Sequence, residues 1–177
     1  NYFLFIGRLT PEKGIDVLLD AFAGTALPLR IAGDGPLRPK VKETARQHPN
    51  IQYLGAIDRP AVMDLLSRCS ALIFPSIWYE GMPMTLLEAF ALGTPVIASN
   101  LGAMQAMIQD GRTGWLFPAG DGSALRRKAE QWLETDEDYR RRLAEEVRRT
   151  YETHYTPQRN LELLLQLYDT VRQPPGT

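Results

Sequence analysis

The sequence predicts a three-layer α/β domain built on a mostly parallel six-stranded sheet, and three observations carry that expectation. Apolar runs of strand length recur at residues 2–6, 27–32, 51–54, 71–74, 96–99 and 115–117. The run at 2–6 is continuous rather than alternating, as expected of a strand covered on both faces. Helical patterns alternate with them through short connections, the arrangement of βα units in a parallel sheet.

Taken in order, residues 2–6 form the first strand, followed by a loop carrying Arg8 and Lys13. Ile15, Leu18, Leu19 and Phe22 then repeat at helical spacing. The second strand ends at Gly33-Asp34-Gly35-Pro36, and a polar helix runs to about Gln47. After the strand at 51–54 come Gly55, a helix from Pro60 to Cys69, and the strand at 71–74. Gly93-Thr94-Pro95 breaks the next helix ahead of the strand at 96–99. A short helix around Gln105 and the turn Asp110-Gly111-Arg112-Thr113-Gly114 lead to the strand at 115–117. The remainder is helical over 123–133, 137–153 and 157–171. In the last of these Leu161, Leu164, Leu165, Tyr168 and Val171 form an apolar stripe.

A chain of 177 residues suffices for one domain with a substantial core. Its net charge of −1 offers no basic face for nucleic acid. Cys69 is the only cysteine, which excludes an intrachain disulfide and leads us to expect a reducing, cytoplasmic setting. No apolar run approaches the roughly 20 residues of a membrane span, and no leader is recognisable. The chain starts directly in a strand without a methionine, so we expect residues 1–172 to be a domain excised from a longer protein. Residues 173–177 are expected to be a disordered end.

Chemistry is concentrated in Glu80-Gly81-Met82-Pro83-Met84-Thr85 and the helix that follows. Pro83 suits a first helical turn, where its missing N–H is no loss. Backbone amides from Gly81 to Thr85 are then expected at the positive end of a helix dipole, an anion site suited to phosphate. Glu80 and Glu88 bracket that end with carboxylates, which accept hydrogen bonds from hydroxyls. The ligand expected is therefore both phosphorylated and rich in OH groups. Glu88 lies in a nearly all-apolar helix, so it is predicted to be buried and in need of partners. The plainer alternative is a loop glutamate and a solvent-side helix glutamate. Arg8 and Lys13, at the tip of the first strand, suit a diphosphate, the one as a fork and the other as a point charge. Alternatively they are ordinary surface charges.

Other features point away from chemistry. Gly33-Asp34-Gly35 lacks the third glycine of a dinucleotide fingerprint, Arg38 standing in its place, so it is read as a close-approach turn with a structural Asp34. His48 and His154 are expected on the surface, and Cys69 as a small buried hydrophobe. Trp78 and Tyr79 either line a pocket or pack on their own domain.

Together these residues resemble the C-terminal, donor-binding domain of retaining glycosyltransferases of the two-domain GT-B fold (family 4, group 1). The resemblance rests on Gly7-Arg8-Leu9 with Lys13-Gly14, Gly33-Asp34-Gly35-Pro36, Leu54-Gly55 and Phe74-Pro75-Ser76. It continues through Glu80 and Glu88, Gly93-Thr94-Pro95-Val96-Ile97-Ala98-Ser99, and the turn 110–114. It implies a Rossmann-like fold and a nucleotide-diphosphate sugar as donor substrate, with no metal and no cofactor. By resemblance, Arg8 and Lys13 meet the diphosphate, Gly7 is a further donor-binding residue, and Glu80 meets the donor sugar. The backbone of Gly81, Met82 and Met84 holds sugar and phosphate, and the amides of Thr85 and Leu86 continue the phosphate cradle. Glu88 meets the ribose, and main-chain groups near Ile57 the base. Arg8, Lys13 and Glu80 carry the catalytic role in this half.

The sequence departs from the family at Met82-Pro83, where Phe-Gly is common, and at Ala106, where a glutamate is common. The implied partner is an N-terminal acceptor-binding domain, through which alone any membrane association would arise. Two rivals stay open: a nucleotide-sugar epimerase of the same fold, and a non-catalytic module that binds sugar nucleotides.

Overall fold

The computed structural model describes residues 2–172 and shows one six-stranded, fully parallel sheet of order β3-β2-β1-β4-β5-β6. The strands are β1 (Phe3–Ile6), β2 (Leu29–Ala32), β3 (Ile51–Gly55), β4 (Ala71–Phe74), β5 (Val96–Ser99) and β6 (Trp115–Phe117). The helices are α1 (Ile15–Phe22), α2 (Arg38–Gln47), α3 (Arg59–Arg68), α4 (Met84–Ala91), α5 (Gly102–Met107), α6 (Gly122–Glu134), α7 (Glu137–His154) and α8 (Pro157–Arg172). The predicted fold class and the order of its elements are observed. The expected end at 173–177 lies outside the described residues.

Order and composition agree. The central strands β4 and β5 are buried at every position, and Phe3, Leu4 and Phe5 of β1 are buried in succession. Residues apolar on both faces suit that position, and Ser99 at the end of β5 is the one polar residue in it. The edge strands β3 and β6 are partly exposed and accept Gln52 and Trp115. The chain runs outward from β1 through β2 to β3, then crosses back to β4 and continues the other way. Right-handed crossovers place α1 and α2 on one face and α3 and α4 on the other. α6 then packs on α1, and α7 on α4.

Side chains join these layers at specific backbone groups. Arg126 of α6 donates to the carbonyls of Ala21 (2.9 Å) and Asp20 (3.0 Å), satisfying the exposed C-terminal end of α1. Thr94 Oγ1 donates to the Leu66 carbonyl at 2.9 Å, tying the entry of β5 to α3. Asp58, Asp121 and Asp136 each accept an amide three residues on, capping α3, α6 and α7.

Gly33 is the close-approach residue its motif suggested. At φ +143°, a Cβ there would sit 1.8 Å from the Gly7 carbonyl oxygen. Asp34 is structural, one oxygen accepting the Gly35 amide at 2.8 Å and the other pairing with Arg38 at 3.2 Å. His154 is exposed as expected, whereas His48 is half-buried and accepts the Gly24 amide through Nδ1 at 3.2 Å. α8 differs most from a packed helix: Leu161, Leu163, Leu164, Leu165, Leu167 and Tyr168 are all exposed, and the Val171 side chain lies outside the described residues. Among the described residues no helix is long and apolar enough to cross a membrane.

Cys69 ends α3 with Sγ 3.3 Å from the Leu66 carbonyl, and burial pushes its thiol up to about 12 from an ordinary 9.0. The thiol should resist iodoacetamide at pH 8 in the folded chain and react once urea unfolds it, as mass spectrometry would read. Between pH 9.0 and about 12 the unfolded chain releases this proton while the native chain keeps it, so stability should fall as pH rises through that window. Gly33→Ala should cost about 3 kcal/mol or more in urea denaturation, because backbone must move to admit the methyl group.

Candidate functional site

The reversal of strand order lies between β1 and β4, and the loops leaving their carboxyl ends meet there. The β1 loop makes a 3₁₀ turn at Pro11–Lys13, started by Pro11 and ended by Gly14 at φ +72°. A Cβ on Gly14 would lie 1.9 Å from the Pro75 carbonyl oxygen, so only glycine lets the two loops touch. The Ile77 amide then donates to the Glu12 carbonyl at 3.0 Å.

This contact brings Lys13 to Glu80, with Nζ 2.6 Å from Oε1. Their side chains are 22% and 16% exposed, so the pair is partly desolvated yet reachable from the crevice. Ser76 Oγ lies 2.7 Å from the same Oε1. Glu80 Oε2 has no partner among the described residues. Arg8 is mostly exposed and lies 3.7 Å from Glu12. The Glu12 carboxyl is held below its usual range, chiefly by its own backbone amide.

Arg8 also lines a cavity of about 250 Å³ at the ends of β1, β2 and β3, together with Gly7, Gly33, Ile57 and Val62. Its walls are mainly apolar side chains and backbone, a surface suited to a flat ring. Gly7, Arg8 and Ile57 are thus brought together at one wall, and Lys13 and Glu80 at the neighbouring switch point.

The α4 start corrects the sequence reading in two respects. Pro83 is the N-cap, with extended backbone, and the helix begins at Met84. The Leu86 amide, expected in the phosphate cradle, donates to the Pro83 carbonyl at 3.0 Å, and the Leu86 side chain is fully buried. Gly81, Met82, Met84 and Thr85 keep amides with no acceptor among the described residues. α4 is also not buried all round, since Met84 is 60% exposed. Glu88 is largely shielded all the same, at 19%, and its carboxylate lies 3.4 Å from Arg59.

Arg59 and Ser76 are site residues to which the sequence reading gave no role. Ser76 stood only as part of Phe74-Pro75-Ser76, and nothing in the spacing of α3 singles out its first residue. Trp78 and Tyr79 are 67% and 73% exposed, so neither is packed into the core, although Tyr79 lies against Gly102 of its own domain. Among the described residues no three of His, Cys, Asp and Glu come together in a way that could hold a metal ion.

The chain matches the family described as "Glycosyl transferases group 1" over residues 1–150. It is 32% identical to the O-antigen chain mannosyltransferase C of Escherichia coli, over 97% of this chain and 47% of that protein. It is 36% identical to the phosphatidyl-myo-inositol mannosyltransferase of Mycobacterium leprae, over 69% of this chain and 34% of that protein. The fold is similar to that of Anabaena HepE, solved in complex with UDP-glucose, with a TM-score of 0.82 at 19% identity over 96% of this chain and 49% of that one. The chain therefore spans less than half the length of these relatives. Over that span it belongs to the group 1 glycosyl transferases.

Proposed function

We propose that this chain is the donor-binding half of a retaining family 4 glycosyltransferase, which moves a sugar from a nucleotide-diphosphate sugar to an acceptor hydroxyl. The observation that carries the reading is the 2.6 Å pairing of Lys13 with Glu80 across the switch point, beside the amino end of α4. A cation, free amides and a carboxylate with one open oxygen suit a phosphate bonded to a sugar. The mannosyltransferases among the relatives and the UDP-glucose bound by a structure of the same fold agree with that ligand class.

The base enters the cavity at Ile57, the ribose hydroxyls meet Glu88, and the diphosphate lies between Arg8, Lys13 and the amides of Met84 and Thr85. Glu80 Oε2 accepts from a hydroxyl of the donor sugar. In the reaction the bond from the anomeric carbon to the phosphate oxygen breaks, and its electrons pass to the diphosphate. Arg8 and Lys13 stabilise the charge that grows there, without reorganisation at the moment of reaction. The acceptor oxygen bonds to the same carbon on the face the phosphate leaves, and its proton passes to the departing phosphate oxygen. No metal or cofactor takes part. The acceptor site, and any histidine near the reacting carbon, belong to a second domain outside this chain.

A thermal-shift screen with UDP-, GDP- and ADP-sugars tests the reading. At least one donor at about 100 times its Kd should raise the midpoint by several degrees, since ligand held only by the native state stabilises it by about 2.7 kcal/mol. Lys13→Ala should weaken binding about tenfold, and Arg8→Ala by a similar factor. Lys13→Ala and Glu80→Ala should be non-additive by about 1 kcal/mol in donor affinity, because either change alone releases the other side chain from its partner. Full additivity, read by calorimetry, would count against a single diphosphate-sugar site.

A further inference from the structure

We propose that Ser76 is a positioning residue that sets the Glu80 carboxylate for the sugar, a role resting on the donor-site reading above. Ser76 is buried, with 1% of its surface exposed, and its hydroxyl oxygen lies near three acceptors: Glu80 Oε1 at 2.7 Å, the Glu12 carbonyl at 2.9 Å and the Trp78 carbonyl at 3.3 Å. A serine hydroxyl has one proton to donate. The Glu12 carbonyl already accepts the Ile77 amide at 3.0 Å, and the Trp78 carbonyl is the most distant and uncharged. The proton therefore goes to the carboxylate, the shortest contact and the charge-assisted one.

Glu80 Oε1 then receives two donors, the Ser76 hydroxyl and the Lys13 ammonium. Two bonds from opposite loops hold the carboxylate in one rotamer and leave Oε2 as the atom available to a ligand. Lys13 alone, on a flexible four-carbon stem, would hold Glu80 with much greater freedom. Ser76 touches no ligand in this arrangement. It acts through Glu80, and so on the sugar end of the donor rather than on the nucleotide.

The test is calorimetric titration of this chain with UDP, GDP and ADP, each beside its glucose or mannose ester. Ser76→Ala should weaken binding of the nucleotide sugar about tenfold, the loss of one hydrogen bond to a charged group, and leave the nucleotide diphosphate within twofold of wild type. Ser76→Cys fills the space with a somewhat larger, weaker donor and should show the same split, which serves if the alanine variant folds poorly. In a Glu80→Ala background, Ser76→Ala should change nothing further. Equal losses for diphosphate and sugar, or undiminished sugar affinity in both variants, would overturn the role of Ser76 while leaving the donor site intact. A wild-type chain that binds none of the nucleotides would instead overturn the donor-site reading, and the role of Ser76 with it.

Discussion

The contact between Gly14 and the Pro75 carbonyl is the constraint on which the site depends. Two parallel strands side by side at a reversal send their helices to opposite faces, which opens a crevice between the loops that leave them. Here the crevice is closed at its base. No side chain fits at Gly14, and the Ile77 amide bonds to Glu12 across the gap. Backbone meeting backbone at van der Waals distance determines where Lys13 and Glu80 begin, and their side chains then need only a short reach. Everything chemical about the site stands on a packing fact that involves no charge at all.

The electrostatics are balanced rather than uniformly positive. A helix amino end and two cations would by themselves make a general anion trap. Glu80 occupies Lys13, and Glu88 faces Arg59, so each of the two carboxylates is matched by a positive side chain. The Lys13–Glu80 pair matters more than an ordinary surface ion pair because it is partly withdrawn from water and shares its acceptor oxygen with Ser76. An incoming phosphate must share the lysine, which favours a ligand that also brings hydroxyls for the glutamate over a bare anion.

Much of the fold was legible because its signals are local. The continuous apolar runs at 2–6 and 71–74 marked strands that turn out largely buried at the centre of the sheet, and the periodicity at Ile15, Leu18, Leu19 and Phe22 gave α1 to the residue. The strand at 27–32 begins later than its apolar content suggested, at Leu29, where pairing with Ile51 starts. The site was legible as a set of residues at strand ends but not as a set of bonds. Ser76, Arg59 and the occupied Leu86 amide depend on which groups meet across long stretches of chain, and no spacing along the sequence encodes that. Pro83 shows the limit at short range too: its chemistry suits either the cap or the first turn, and the backbone chose the cap. α8 carries an apolar stripe at helical spacing like any packed helix, yet the structure leaves that stripe exposed.

The β1–β4 pairing has a consequence for the order in which the molecule forms. Lys13 and Glu80 stand 67 residues apart, so the site appears only when the sheet closes at its centre. A chain that has assembled β1, β2 and β3 alone holds Arg8, Lys13 and most of the cavity wall beside them but neither Glu80 nor Glu88. Closing that long loop is the entropically slow event in a parallel sheet. On the proposed reading, a donor that bridges the two halves would act as a template for the central register, holding together during synthesis the two loops whose meeting makes its site.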